Sequence, residues 1–190
     1  ANQRISLAFG QHSQNVPFPI LFLNEETTRG QLEQTNLNLS FLRSNHYVLG
    51  YDFKFGTNWR LKAEAYYQYL FDIPVEDMEG STYSVLNEGA DFSFDERGSL
   101  VNEGSGKNYG LELTIEKFFS NNYYALFTTS FFESKYTPAD GVERNTAFNN
   151  NYIVNFLFGR EWMVLSDEKR DMSLTLDTRF STSGGRPFTP

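Results

Sequence analysis

The chain has 190 residues, 39% of them hydrophobic, with no cysteine and a formal net charge of −8. The acidic balance and the absence of any Lys/Arg cluster exclude nucleic acid as a partner, because neutralising phosphates takes a basic face; without cysteine there are neither disulfide staples nor thiolate metal sites. No apolar run approaches the roughly 18 residues a transmembrane helix needs, and the compositional excess is aromatic, at 17%.

The first residues carry no charged region followed by an apolar core, so no signal peptide is expected. Ile5, Leu7 and Phe9 alternate with Ser6, Ala8 and Gly10, which predicts a strand over residues 4–13. Pro17, Pro19, Glu25, Glu26 and many Asn and Gln then predict a large exposed loop reaching about residue 43. A second strand follows, with Tyr47, Leu49, Tyr51, Phe53 and Phe55 on its apolar side, and Gly56-Thr57-Asn58 reads as a tight turn. The third strand, residues 59–72, sets Trp59, Leu61, Ala63, Ala65, Tyr67, Tyr69 and Phe71 against Arg60, Lys62, Glu64, Tyr66 and Gln68.

Residues 74–106 read as a solvated acidic loop, with Glu76, Asp77, Glu79, Asp91, Asp95, Glu96 and several glycines. Residues 107–136 then form a hairpin. Its first arm alternates Tyr109, Leu111, Leu113 and Ile115 with Gly110, Glu112, Thr114 and Glu116, and Ser120-Asn121-Asn122 supplies the turn. On the returning arm two sets compete for the apolar side, Tyr123, Ala125, Phe127 and Phe131 against Tyr124, Leu126 and Phe132; the odd set is preferred. A loop over residues 137–150 leads to a sixth strand, in which Tyr152, Val154, Phe156 and Phe158 share a face, while Ile153 and Leu157 blur the pattern. After a short charged turn at residues 166–170, Met172, Leu174, Leu176 and Phe180 alternate with Ser173, Thr175, Asp177, Arg179 and Ser181.

Two regularities emerge. The strands far exceed the roughly 5 or 6 residues usual in globular proteins and suffice to cross a bilayer, which takes roughly 9 to 11 tilted residues. Connections are long after strands one, three and five and short after two, four and six, and aromatics gather toward strand ends (Trp59, residues 67–71, Phe118, Phe119, Tyr123, Tyr124, Trp162). Both are habits of outer-membrane barrels, whose average hydropathy is diluted because every second residue faces a polar interior. The predicted fold is therefore all-β, an antiparallel up-and-down transmembrane β-barrel, present here as a partial barrel of about seven long strands. Leu61, Ala65, Tyr67, Leu111, Leu113, Ile115, Leu174 and Leu176 are the candidate lipid-facing residues. Arg60, Lys62, Glu64, Glu112, Glu116, Asp177 and Arg179 are the candidate lumen-facing polar residues.

Catalysis, metal binding and cofactor binding are not expected. Glu64, Glu112 and Glu116 could be posed as an acid/base pair, but charges of this kind line a wide lumen. His12 and His46 lack ligand spacing. Gly104, Gly106 and Gly110 miss the phosphate-loop pattern and read as a loop end before a strand.

Tyr109-Gly110-Leu111-Glu112-Leu113-Thr114, Glu116-Lys117-Phe118-Phe119 and Ser134-Lys135-Tyr136 resemble the C-terminal barrel region of TonB-dependent outer-membrane receptors of Gram-negative bacteria. So do Leu49-Gly50-Tyr51-Asp52, Glu64-Ala65-Tyr66-Tyr67-Gln68, Asn87-Glu88-Gly89, Arg144-Asn145-Thr146-Ala147-Phe148-Asn149 and Gly184-Gly185-Arg186, in one order over most of the chain. The resemblance implies a 22-stranded barrel around a plug domain, in the outer membrane, importing a small nutrient with energy delivered by TonB through the plug. Seven strands cannot close such a barrel, so residues 1–190 are expected to be a fragment of its wall, lacking plug and closure. Its partners are outer-membrane lipid, the remaining strands and the plug. Two other readings are a soluble secreted β-sandwich that binds carbohydrate and a barrel acting as a passive pore or adhesin.

Overall fold

The computed structural model describes residues 2–26, 30–88, 98–167 and 170–185. Seven long strands dominate: β1 (Gln3–Gln14), β2 (Leu42–Phe55), β3 (Trp59–Glu76), β4 (Leu100–Ser120), β5 (Tyr123–Thr137), β6 (Tyr152–Asp167) and β7 (Arg170–Ser183). Each pairs antiparallel with its neighbour in sequence, so the sheet is one up-and-down meander. A two-residue strand, Arg144–Asn145, adds to the end of β5. The order does not return on itself: β1 and β7 each have one partner. The all-β antiparallel architecture is as expected from the alternation; a closed barrel is not formed. Among the described residues no helix is long and apolar enough to cross a membrane.

The short connections are set by backbone conformation. Gly56 has φ +61°, and Asn121 and Asn122 have φ +52° and +63°. Two successive left-handed residues make the kind of turn whose twist matches the strands it joins, and asparagine tolerates that region better than other side chains.

The long connections correct two expectations. Residues 14–43 are not simply an exposed loop. Pro17 opens a short helix, Phe18–Leu21, and Glu25–Glu26 pairs with Leu32–Glu33. Val16 and Ile20 from this loop are buried together with Val85 from the next loop and Leu100 from the start of β4. Asn36, fully buried, bolts them together: its amide donates to the carbonyls of Ile20 (3.2 Å) and Gly98 (3.3 Å), and its oxygen accepts from the Leu100 N–H at 2.9 Å.

Residues 74–106 are likewise not all loop, because β3 continues to Glu76 and β4 begins at Leu100. The glycines misled. Gly104 and Gly106 are strand residues at which a Cβ would come within 2.4 Å of the Val75 side chain and 2.6 Å of Leu86. They are small because Val75 of β3 and Leu86 of the cap that these two loops build over the sheet end lie against the strand there, not because the chain turns. The upper part of β3 is re-aimed by a bulge at Asp72, where φ is +57° and the register shifts, and this sends Ile73 and Val75 into complete burial. Asp91, Asp95 and Glu96 of the acidic loop, Gly89 and Arg186 of the motifs, and part of the charged turn at 166–170 lie outside the described residues.

Candidate functional site

Register decides which side chains share a face. One row across the sheet reads Leu7, Leu49, Ala65, Leu111, Phe131, Tyr152, and another reads Phe53, Leu61, Ile115, Phe127, Phe156, Phe180. Ala63 and Leu113 are paired between these rows, and Tyr67 lies opposite Tyr109. Leu174 and Leu176 join the same face through Trp162 and Arg160. The eight residues assigned to one side from alternation therefore fall on one continuous apolar face, and on β5 it is the odd set that does so.

The opposite face carries the row Lys54, Arg60, Glu116, Leu126, Leu157, Arg179. Lys62, Glu64, Glu112 and Asp177 share it. Arg60 is ion-paired with Asp52 and Lys62 with Glu64. The Tyr124 hydroxyl donates to Asp177 at 2.7 Å, crossing Gly159, where a Cβ would lie 2.1 Å from the tyrosine ring. Glu64 stands opposite Glu112, whose other neighbour is Ser130. Among the described residues Glu112 has no ion-pair partner. Among the described residues no group of three or more His, Asp or Glu is arranged to hold a metal ion.

Beneath the loops, the polar face has a cleft of about 500 Å³ whose lining includes His46, Glu64, Tyr66, Gln68, Asn108 and Glu112. Its upper wall is a hydrogen-bonded chain in which Asn108 donates to Gln68 (2.9 Å) and Gln68 to Ser44 (3.3 Å). His46 meets the Tyr66 ring edge-on, 6.1 Å between centroids. Nothing in the alternation pattern singles this cleft out, since it takes residues from four strands brought level by register.

At the loop end the apolar face gives way to charge. Lys107 and Lys135, paired in register, share Glu143 at 2.6 and 3.7 Å. Lys107 holds the Glu143 carboxyl below its ordinary range. Arg144 grips Asp140 with two hydrogen bonds of 2.9 and 2.6 Å, and this, helped by the Val142 N–H, holds the Asp140 carboxyl below its ordinary value of 3.8. Asn87 accepts the Ala147 N–H at 3.0 Å, tying this loop to the cap.

At the turn end the apolar stripe of β4 terminates in Lys117, which is 3% exposed. Its ammonium donates to Ser120 O (2.9 Å), Ser120 Oγ (2.8 Å) and Tyr123 O (3.1 Å), and lies 3.6 Å from the Tyr123 ring centroid. Sequence reading missed it as a fastening of the turn, although a lysine in phase with Leu113 and Ile115 was the available signal. Asn36 was missed too, and for a better reason: its partners are as many as 64 residues away.

The ends of the apolar band also slide from strand to strand. On β1 the band has already ended at Gln3, opposite Phe53; on β4 it lies between Lys107 and Lys117. On β5 it stops at Glu133, opposite Tyr109, but extends down to Tyr123; on β7 it continues to Met172. Comparison with protein-family models and with curated proteins finds no match to this chain.

Proposed function

We propose that this chain is part of the membrane-spanning wall of a TonB-dependent outer-membrane nutrient transporter. The observation that carries the reading is the oblique apolar band. Its centre drifts by a little over one residue per strand, and with a rise of ~3.3 Å and a strand spacing of ~4.8 Å this corresponds to strands tilted about 40° from the membrane normal, within the range of membrane barrels. On β4 the stretch between Lys107 and Lys117, tilted in this way, is about 25 Å tall, the height of a barrel's apolar belt.

The chemistry agrees with this reading. Lipid takes up the exposed apolar rows, the stacked rings of Phe53, Phe55 and Trp59 (centroids 5.5 and 5.8 Å apart) lie at headgroup depth, and every interior strand has both edges hydrogen-bonded, as hydrocarbon requires. The charged face lines the lumen. The loop cap faces outward and contributes to ligand capture, and the parent protein supplies further strands at the edges of β1 and β7 and the plug through which TonB acts.

The test is partition of the full-length parent protein in cells. It is expected in the outer-membrane pellet, released by detergent and not by salt or alkali. Recovery from the aqueous phase without detergent would overturn the reading.

A further inference from the structure

We propose that the cleft on the polar face binds an organic cation, a primary ammonium or a guanidinium group, with Glu112 as its counter-ion and the Tyr66 ring as its floor. The argument begins with charge. Of the carboxylates that line the cleft, Glu64 is paired with Lys62 and Glu133 with Lys135, while Arg60 on the same face is taken by Asp52, which leaves Glu112 as the lining carboxylate without a cation among the described residues. Among the described residues no lysine or arginine lines the cleft. A second carboxylate, Glu64, lies directly opposite Glu112, so the local potential is negative and an anionic ligand is repelled.

The walls suit the same ligand. Tyr66 and Phe132 present rings on either side of Gly110, at which a Cβ would lie 2.9 Å from the Tyr66 hydroxyl and 2.9 Å from the Phe132 Cβ. Glycine there makes room for Tyr66 to lie across the neighbouring strand, and His46 meets that ring edge-on. A cation seated over an aromatic face and against a carboxylate gains from both, and more so where water is partly excluded. Above it, Asn108 donates to the Gln68 oxygen and Gln68 to Ser44, which orients the Asn108 amide and leaves its oxygen as a further acceptor for an N–H. Glu112 and the Asn108 oxygen are both acceptors, and their complement is a donor-rich cation.

The cleft stands on these residues alone; under the transporter reading it lies on the lumen side below the loops, on the path of the ligand. Calorimetric titration of the full-length parent protein with arginine amide and putrescine, set beside maltotriose and citrate, tests it. Both cations are expected to bind, the neutral sugar and the anion not. Glu112→Gln, isosteric and exposed, is expected to weaken cation binding about tenfold, the scale of one charge-assisted contact, and Glu116→Gln, on the same face beside Arg60, to leave it unchanged. Absence of cation binding, equal binding of maltotriose, or equal effects of the two glutamine variants would each overturn the proposal. The outcome is independent of where the protein partitions, so failure of the membrane reading and failure of the cleft are told apart.

Discussion

The loop cap and the sheet treat apolar surface in opposite ways. In the cap Val16, Ile20, Val85 and Leu100 are at most 8% exposed, whereas on the sheet Leu7 is 82% and Leu174 61% exposed. The cap is a small core built as water demands, closed by a buried asparagine that pairs with the Ile20 and Gly98 carbonyls and the Leu100 N–H. The sheet carries a far larger apolar surface that covers itself with nothing. Fully burying a side chain such as leucine is worth roughly 1.5 to 3 kcal/mol, and in the proposed transporter wall lipid is what covers these six-strand rows. One chain thus contains a part that buries its apolar side chains within itself and a part that leaves them open.

The sharpest way to break that contrast is to place a charge on each side of one strand. Leu113→Arg is expected to cost roughly 2 to 4 kcal/mol of folding stability in lipid, and Thr114→Arg close to nothing, read as the folded fraction against urea in bilayers. Equal tolerance at the two neighbours would remove the distinction between the faces.

In the cap, Asn36→Ala strips the buried Leu100 N–H of its acceptor and should cost about 1 to 3 kcal/mol locally. Hydrogen exchange should quicken at Leu100 while the amides of β5 and β6 keep their protection; uniform loosening would mean that cap and sheet are one cooperative unit.

Lys117→Met keeps the stem and removes the ammonium at the boundary where the sheet's apolar face meets the turn. A loss of about 1 to 2 kcal/mol is expected, at the scale of hydrogen bonds to a charge beside water, seen as faster exchange in residues 120–123.

The smallest effect concerns pH. Asp140 has a depressed carboxyl value, so the Arg144 grip is fully present above the ordinary 3.8 and is lost as pH falls through the depressed value. The Asp140 carboxyl carbon shift in NMR should titrate below 3.8, and closer to that ordinary value in Arg144→Gln, where the Val142 N–H still donates to it. The strands should show no change over that window.

Much of the architecture was legible because strand alternation is local. The side chains of Leu111 and Glu112 diverge by the pleat alone, and the turn at Asn121-Asn122 needs only the tolerance of asparagine for the left-handed region. What alternation could not show was how far β3 and β4 run: Pro74, Gly104 and Gly106 look like loop residues until Val75 and Leu86 are seen packed against the glycines. It could not show the cleft either, since Glu112 is one of several carboxylates in sequence and becomes the unpaired one of the cleft only when Lys62 goes to Glu64 and register sets His46, Tyr66 and Asn108 beside it.

By itself, then, the sequence determined the strands, their order and the two faces, because a period of two depends on the backbone of each strand and short turns force neighbours to pair. Tertiary structure alone decided the cap, the slide of the apolar band and the charge left over in the cleft, because each depends on residues far apart in the chain being brought level by pairing register and packing.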